Sequence, residues 1–553
     1  MTVSRRDVLA GFGASLVACK MDRTPSQVRK MQGVVASSQR VASEVGASIL
    51  SAGGNAADAA IATAAALNVT EPISTGLGGD CFALYYDAAT KRLTALNGSG
   101  RAPQRLTLEL VREQGITEMP PRHPHTVTVP GACAGWLDLL ERHGTLTRAQ
   151  VLEPAIALAE RGFAVGPVTA QFWAMNIERA KGAPNLDELT IDGRAPRGGE
   201  QFRNPGLART LRAIVAGGKD AYYRGEIAAS IVDVLGANGG VMSLSDLASH
   251  TSTWVDPIST TYRGKQIWEC PPNGQGITAL LALNILEGFE LAKLPPLSPA
   301  RTHLLVEALR LAFADTRWYV TDPGKVSVPV AQLLSKDYAA RRRKLIDPAR
   351  ATADVVRGSP TSSSDTVYFC VVDGAGNACS FINSNYAGLG TAIVPKGWGF
   401  SLQNRGHAFS LDPAHPNALA PGKRPYHTII PGMITELDGS LYAPFGVMGG
   451  FMQPQGHVQV VVGLLDDGAA PQAVIDRPRF CIDPIDGPAK VSFEAETPAA
   501  VVEGMRALGH VVEGGLTGLE RGKFGRGQII HRMPDGTLVV GSDQRSDGGA
   551  HYT

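Results

Sequence analysis

Apolar and small residues recur at helical spacing in the first part of the chain. Between residues 33 and 70, the stretches "SQRVASEVGASILSAGG" and "NAADAAIATAAALNV" predict two alanine-rich helices, and Gly53 and Gly54 end the first. The stretches "CFALYYD" and "RLTALN" predict a hairpin around "AATK". From about residue 138 to 345 the apolar spacing is largely helical, so mostly helices are predicted there.

Strand patterning, glycine and proline dominate after residue 366. "TVYFCVV" predicts a strand with apolar side chains on both faces, "QGHVQVVVGLLDDG" predicts a helix, and "FGRGQIIHRMPDGTLVVGSDQRSDGG" predicts a hairpin around "PDG". The polar stretch "ATADVVRGSPTSSS" at 351–364 predicts an exposed flexible linker. This linker leads directly to Thr366.

Composition and charge narrow the class of protein. The 553 residues are 44% hydrophobic and 19% charged, which is typical of a globular chain. A net charge of +1 indicates no basic surface, so no nucleic-acid partner is predicted. The seven cysteines lack C-x-x-C spacing, and no H-E-x-x-H, P-loop or strand-linked dinucleotide motif occurs. We therefore expect neither a metal nor a cofactor.

The N-terminus resembles an export leader. The arginine pair "RR" precedes the apolar run "VLAGFGASLVA", which is too short to span a bilayer. The "LVAC" sequence that ends at Cys19 resembles a lipoprotein-processing site, which would put a membrane lipid anchor on this cysteine. Residues 1–32 are thus interpreted as a twin-arginine-like leader and extension, which predicts a periplasmic or extracytoplasmic protein. The alternative is that Met21 is the true start and the protein is cytoplasmic.

Thr366 begins a predicted strand directly after the linker, which makes it a candidate nucleophile. A hydroxyl is a poor nucleophile unless a base removes its proton. If the bond between Asp365 and Thr366 is cut, the new α-amino group has an ordinary pKa of about 7.7–8.0 and can serve as that base. One residue would then supply both nucleophile and base. The alternative is a structural threonine at a strand edge.

Acyl transfer also needs hydrogen-bond donors for the developing oxyanion. In "FGVMGGFMQPQGH", Gly449 and Gly450 lie at a predicted strand-to-helix junction, where backbone N–H groups can point at such an oxyanion. The alternative is an ordinary glycine turn. No G-x-S-x-G nucleophile elbow competes with Thr366.

Several stretches together resemble the γ-glutamyltransferase family, whose members are also called γ-glutamyl transpeptidases or glutathione hydrolases. The resemblance runs from about residue 33 to the end and rests on "GGNAADAAIATAAALNVTEP", "GLGGDCF", "TVPGACAGW", "DTVYFCVVDGAGNACS", "PGKRP", "MGGFMQPQG" and "GHVV". It implies the α/β fold of the N-terminal-nucleophile hydrolases, a four-layer αββα sandwich. It also implies self-cleavage between Asp365 and Thr366 into a large subunit, 33–365, and a small subunit, 366–553, that remain together.

The catalytic machinery of the family carries over onto four residues. Thr366 falls on the nucleophile, and Ser384 falls on the residue that hydrogen-bonds the amine and hydroxyl of the nucleophile. The family usually has threonine at this second position, so the same donor and acceptor are kept. Gly449 and Gly450 fall on the oxyanion glycines. The resemblance implies a Thr366 acyl-enzyme that passes its acyl group to water or to an amine.

The substrate-holding positions depart from the family. Ser99 stands where the family has the arginine that binds an α-carboxylate, and Arg101 lies two residues further on. The acidic residue that binds an α-amino group becomes Ala408, and a nearby glutamine becomes Arg405. Tyr386 stands where the family has an asparagine, and His427 and Thr428 stand where it has a pair of serines. The expected substrate-binding residues are Arg101, Tyr386, Asn404, Arg405, His427 and Thr428.

Three functions follow from these expectations. The first is a hydrolase or transferase for γ-glutamyl amides such as glutathione. The second is an acylase for another carboxylate-bearing amide, of glutaryl or oxamate type, in which Arg101 or Arg405 binds the carboxylate. For each arginine the alternative is an ion pair with an acid such as Asp412. The third is a non-catalytic binding protein on the same scaffold, which the intact Thr366 and Ser384 disfavour.

Overall fold

The structure is a computed structural model that describes residues 29–30, 33–353, 355, 365–483 and 489–553. At residues 29–30 and 365–366 only the backbone is described. The proposed leader, the lipid anchor at Cys19 and most of the proposed linker therefore lie outside the described residues. No helix within the described ranges has the length and apolarity needed to cross a membrane.

Strands account for the centre of the molecule. In chain order they are β1 Arg29–Lys30, β2 Val34–Ser37, β3 Asp80–Asp87, β4 Arg92–Gly98, β5 Phe163–Ala164, β6 Gln201–Phe202, β7 Thr253–Val255, β8 Ile258–Tyr262, β9 Lys265–Glu269, β10 Asp365–Val372, β11 Ala378–Tyr386, β12 Gly432–Glu436, β13 Leu441–Met448, β14 Phe480–Ile482, β15 Lys490–Glu494, β16 Val511–Leu516, β17 Arg526–Arg532, β18 Thr537–Ser542 and β19 Gly549–Tyr552.

Helices cover both sides of these strands. In chain order they are α1 Arg40–Ser51, α2 Ala56–Thr70, α3 Leu108–Glu113, α4 Ala132–His143, α5 Arg148–Arg161, α6 Pro167–Arg179, α7 Pro205–Tyr223, α8 Glu226–Ala237, α9 Leu244–Ala248, α10 Gly276–Leu286, α11 Pro299–Tyr319, α12 Val330–Leu333, α13 Lys336–Arg343, α14 Met452–Leu465, α15 Pro471–Asp476 and α16 Ala499–Ala507.

Two seven-stranded antiparallel sheets pack face to face. Sheet I has the order β19-β2-β10-β11-β3-β4-β7, and sheet II has the order β1-β18-β17-β13-β12-β9-β8. A buried apolar cluster that includes Phe82, Ile382, Met433 and Ile530 fills the space between the two sheets. Helices that include α1, α2, α4, α5 and α7 cover the outer face of sheet I, and α10, α11, α14 and α16 cover that of sheet II. The predicted αββα sandwich is confirmed.

Most predicted elements occur where the apolar pattern placed them, and two differ. The stretch 33–70 opens with a strand, β2, because "VVAS" is a short run buried between β10 and β19, a setting that spacing alone does not distinguish from a helix. The predicted helical stretch from 138 to 345 contains β7, β8 and β9, which complete the edges of the two sheets. Helical spacing in the surrounding sequence did not reveal these strands, because β7 pairs with β4 and β9 pairs with β12, which are distant in the chain.

Candidate active site

The strand register brings Thr366 beside the residue expected to assist it. In the β10–β11 pair, Asp365 is opposite Tyr386 and Val367 is opposite Asn383, with a bulge between the two positions. The backbone of Thr366 therefore faces Ser384 and Asn385 on the neighbouring strand. A bulge leaves ladder groups unpaired and redirects the local side chains, which is a frequent arrangement beside active sites.

Ser384 is held by two donors. Its Oγ accepts hydrogen bonds from the backbone N–H of Tyr386 at 2.9 Å and from Nη2 of Arg405 at 3.2 Å. The side chain is completely buried. Glycine at residue 79 allows the chain to pass close to the Ser384 backbone, since a Cβ there would lie 2.3 Å from the Ser384 carbonyl oxygen.

Arg405 is a buried cation at the centre of the predicted substrate site. It lies in a short 3-10 turn, Arg405–Ala408, and is completely buried. Its Nη1 donates to Thr428 Oγ1 at 2.7 Å, and the guanidinium stacks 4.5 Å over the ring of Tyr386. Burial lowers the pKa of Arg405 to about 10, which still leaves it charged at neutral pH. Its Nε has no hydrogen-bond partner among the described residues.

Tyr386 adopts a strained backbone conformation beneath this guanidinium. Its φ is +81°, a left-handed value that a side chain with a Cβ rarely takes. Strain of this kind persists only where the surroundings impose it, and it concentrates at functional sites. The turn that it makes ends β11 and places the ring against Arg405.

His427 is paired with a buried aspartate that the sequence analysis did not assign. Its Nε2 donates to Asp80 Oδ2 at 3.1 Å, and both side chains are completely buried. Burial and the nearby Arg405 lower the pKa of His427 to about 3 even though Asp80 opposes this shift, so the imidazole is neutral. Asp80 Oδ1 also accepts from the N–H groups of Gly100 and Gly131, each at 3.1 Å, and from Gln403 Nε2 at 3.0 Å.

The predicted oxyanion glycines lie between β13 and α14, as the sequence indicated. Gly449 has a φ of +129° and Gly450 a φ of +61°, values that favour glycine. The side-chain amide of Gln275 donates to the carbonyl oxygens of Gly450 and Thr428. This single side chain ties the glycine turn to the segment that contacts Arg405.

Two members of the predicted substrate-binding set make contacts elsewhere. Asn404 uses its side chain to bind the backbone of Ala387 and Pro121. Arg101 is partly exposed and donates to the carbonyl of Thr251 at 3.3 Å, and neither side chain has a described hydrogen bond to the side chain of Ser384 or Arg405. Neither Arg101 nor Arg405 forms an ion pair with Asp412 among the described residues. Their assignment to substrate binding stays a prediction.

Four residues near the site received no role from the sequence. Asp80 and Gly79 both lie in the quoted stretch "GLGGDCF", which signalled the family but received no role. Gln275 lies in "PPNGQG", a stretch to which the sequence assigned no role. Asn385 is buried beside Thr366, and neither end of its amide has a hydrogen-bond partner within the part of the chain that the structure describes.

One cluster away from this site has the residue types of a metal centre. His303, Glu307 and His510 bring ligand atoms within 4.8 Å of one another and are all buried. Arg310 already pairs with Glu307 at 2.7 Å, and His303 Nδ1 is hydrogen-bonded to His510 Nε2 at 2.7 Å. A divalent cation would leave uncompensated buried positive charge here, so we assign no metal to the cluster. The expectation of no metal in the protein stays a prediction.

Comparisons with known proteins extend over nearly the whole chain. The sequence model of the family described as "Gamma-glutamyltranspeptidase" matches residues 42–553. The glutathione hydrolase-like YwrD proenzyme of Bacillus subtilis (strain 168) is 37% identical, with 94% of this chain and 98% of that protein aligned. The oxamate amidohydrolase proenzyme of Klebsiella pneumoniae is 35% identical with the same coverage. The crystal structure of cephalosporin acylase from Bacillus halodurans has a TM-score of 0.90 at 44% identity and covers 98% of this chain and 99% of that chain.

Proposed function

The chain belongs to the gamma-glutamyltranspeptidase family and is an enzyme, and from this premise we propose that it is a self-processing amidohydrolase with Thr366 as its nucleophile. The observation that carries the proposal is the β10–β11 register, in which the backbone of Thr366 faces Ser384. Gly449 and Gly450 directly follow β13 of sheet II, and this position supports their assignment as oxyanion donors.

The maturation step is an attack by the Thr366 hydroxyl on the carbonyl carbon of Asp365. The new O–C bond forms as the C–N bond breaks, and the departing nitrogen takes up the proton that leaves the hydroxyl. Water then hydrolyses the ester, which leaves a carboxylate on Asp365 and frees the hydroxyl and α-amino group of Thr366. The products are a large subunit, 33–365, and a small subunit, 366–553.

The sheet topology supports subunits that stay together after the cut. Sheet I alternates strands from both sides of the cleavage point, since β10 and β11 lie between β2 and β3. Sheet II likewise joins β9 to β12. Separating the subunits would break both sheets and expose the apolar layer between them, so association does not depend on the cut peptide bond.

In the mature enzyme the α-amino group of Thr366 acts as the base for its own hydroxyl. The hydroxyl attacks the substrate amide, Ser384 orients the nucleophile, and the glycine turn at 449–450 stabilises the oxyanion. As the tetrahedral intermediate collapses, the C–N bond breaks, the protonated α-amino group of Thr366 returns its proton to the leaving nitrogen, and an acyl ester remains on Thr366. Water or an amine then takes the acyl group.

The first candidate substrate is a γ-glutamyl amide such as glutathione. The family to which the chain belongs supports this candidate, as does its similarity to a protein named as glutathione hydrolase-like. Arg405 supplies a buried cation beside Ser384 that can bind a carboxylate on the acyl group, and its Nε has no described partner that a carboxylate would need to displace.

The second candidate is an amide whose acyl group has a carboxylate but no ammonium, such as a glutaryl or oxamate-type amide. Ala408 favours it, because this position offers no carboxylate to an ammonium, and Arg405 nearby would repel one. Proteins similar to this chain are named as an oxamate amidohydrolase and a cephalosporin acylase, which gives the candidate further support.

A substrate panel tests the proposal. The cleaved enzyme is given matched γ-glutamyl, glutaryl and oxamate-type amides, and kcat/KM is measured for each, with Thr366→Ala as the inactive control. We expect hydrolysis of a γ-glutamyl or a glutaryl amide that requires Thr366. Activity that survives in Thr366→Ala, or no hydrolysis of any of these amides by cleaved protein, would refute the proposed function.

A further inference from the structure

The hydrogen bonds around Ser384 fix the polarity of its hydroxyl. Oγ accepts from the N–H of Tyr386 and from Nη2 of Arg405, and neither donor can exchange roles with the hydroxyl because both lack a lone pair. A hydroxyl oxygen has two acceptor sites, so both are used. The bond that Ser384 makes toward any third group must therefore be one in which its own O–H donates.

This polarity matters for the neighbouring Thr366 amine. An uncharged amine has a lone pair that accepts a hydrogen bond from Ser384, whereas an ammonium has only donors. Because the Thr366 backbone faces Ser384 across the bulge, the donor polarity favours the uncharged amine. An uncharged amine is the form that can remove a proton from the hydroxyl.

The charge of Arg405 acts in the same direction. The guanidinium is one hydrogen bond from Ser384 and forms no ion pair with a carboxylate of the described residues. A neighbouring cation disfavours a second positive charge, and low polarity strengthens the effect. Arg405 therefore opposes protonation of any amine on the other side of Ser384.

The remaining charged groups in this region do not cancel that effect. Asp80 is an opposing charge opposite Ser384 in the strand register, and it offsets part of the effect of Arg405, while four donors already hold its carboxylate. Other charged or titratable side chains in this part of the fold include neutral His427, the Tyr386 phenol and His407, whose ring lies 6.1 Å from that of Tyr386. They also include the cations Arg424 and Arg317, the second of which packs over two aromatic rings, and the Glu71–Arg526 ion pair.

We propose that Arg405, acting directly and through Ser384, keeps the α-amino group of Thr366 uncharged at neutral pH and so sets the acid limit of catalysis. Arg405 thus controls the protonation of the Thr366 α-amino group, in addition to any contact that it makes with a substrate carboxylate. The inference rests on the proposed function, because the amine exists only after the cut before Thr366.

The size of the effect is measurable. A cation at the distance of one intervening hydroxyl, at the effective dielectric constant of a protein site, lowers the pKa of an amine by about one to two pH units. The ordinary range for an α-amino group is about 7.7–8.0. Replacing Arg405 by an uncharged residue removes this penalty, so the acid limb of activity must move to higher pH.

The test is the pH profile of kcat/KM for cleaved wild-type enzyme and for Arg405→Gln, with the better of the glutaryl and γ-glutamyl anilides as substrate. We expect the acid limb to move up by about one pH unit or more in Arg405→Gln and to stay near the wild-type position in Arg405→Lys, which keeps the cation. Arg212→Gln, which removes an exposed charge on α7, is the control and should not move the limb. A higher KM with an unmoved limb in Arg405→Gln would show that Arg405 only binds substrate and would overturn the inference.

A second measurement needs no variant and applies if Arg405→Gln fails to fold or to cleave. The cleaved wild-type enzyme is labelled with acetic anhydride over a range of pH, and labelling of the Thr366 N-terminus is quantified by mass spectrometry. Titration at least about one pH unit below the ordinary α-amino range supports the inference, and titration within or above that range overturns it. Absence of cleavage in the wild type would instead refute the proposed function itself.

Discussion

The side-chain amide of Gln275 donates a hydrogen bond of 2.9 Å to the carbonyl oxygen of Gly450. The same nitrogen donates to the carbonyl of Thr428 at 2.7 Å, and the hydroxyl of Tyr426 donates to the Gln275 carbonyl oxygen at 3.0 Å. These contacts join the turn before α14 to the segment that holds Arg405. The Gln275 side chain therefore helps to hold the proposed oxyanion donors in position, in addition to the backbone of the turn itself.

Replacing Gly450 by valine should reduce turnover without preventing folding. The left-handed φ of +61° suits glycine but strains a β-branched residue, so the backbone N–H groups of the turn would be displaced. Losing one oxyanion donor lowers kcat by about 10²–10³-fold. Gly468→Val is a matched control, because Gly468 has a φ of +60° in open space beyond the other end of α14. Equal kcat in both variants would remove Gly450 from the catalytic machinery.

Replacing Ser384 by alanine should slow acyl transfer more than it weakens substrate binding. The loss of a hydrogen bond to a charged or reacting group predicts a decrease in kcat of about 10- to 100-fold. Ser380→Ala serves as the control, since Ser380 lies on the same strand and bonds only the hydroxyl of Tyr368 among its described contacts. Steady-state kinetics on cleaved protein measure both constants. If KM rises while kcat is unchanged, Ser384 binds substrate and does not assist the nucleophile.

Asp80 is expected to be essential for stability. Alanine at this position would leave four buried donors without an acceptor, and each unsatisfied donor costs about 1–3 kcal/mol. We predict a loss of at least about 3 kcal/mol for Asp80→Ala, measured by urea unfolding, and a smaller loss for Asp80→Asn, which keeps one oxygen. Asp87→Ala at the partly buried far end of the same strand, where the carboxylate accepts only from Thr90 among its described hydrogen bonds, should cost less than Asp80→Ala. An unchanged free energy of unfolding in Asp80→Ala would show that water replaces these hydrogen bonds.

The fold was predictable, and a candidate nucleophile could be named, because the informative residues lie in short stretches of sequence. Thr366, Ser384 and the glycine pair each lie in a short stretch with its own pattern, and their family resemblance implied the αββα sandwich that the structure has. Helices such as α2 were predictable for the same reason, since their periodicity is local.

The environment of the site was not predictable, because it is made by residues far apart in sequence. The donors to Asp80 come from Gly100, Gly131, Gln403 and His427, and no local pattern links these positions. From the sequence, Arg101 and Arg405 are equivalent candidates for binding a carboxylate. Only tertiary packing decides that one is partly exposed and the other is buried against Ser384.

The substrate preference should depend on the pair Arg405 and Ala408. Wild-type enzyme is predicted to cleave a glutaryl amide nearly as well as, or better than, the matching γ-glutamyl amide. Arg405→Gln combined with Ala408→Asp removes a repulsive charge and adds a partner for an ammonium, which should move the kcat/KM ratio toward γ-glutamyl by about tenfold or more. The ratio is measured for both substrates in both proteins. A wild-type preference for γ-glutamyl above about a hundredfold would mean that the ammonium has another partner.

Self-cleavage before Thr366 is the most direct test of the account. The chain of 553 residues and 58.2 kDa should yield fragments of roughly 38 and 20 kDa, in proportion to 365 and 188 (553 − 365) residues, and the larger fragment is shorter if the leader is removed. The measurement is the mass and N-terminal sequence of the fragments of purified protein, with Thr366→Ala and Ser364→Ala in parallel. We predict a small fragment that begins Thr-Val-Tyr-Phe in the wild type and in Ser364→Ala, and a single uncut chain in Thr366→Ala. A purified wild-type chain that hydrolyses amides while remaining uncut would contradict the account.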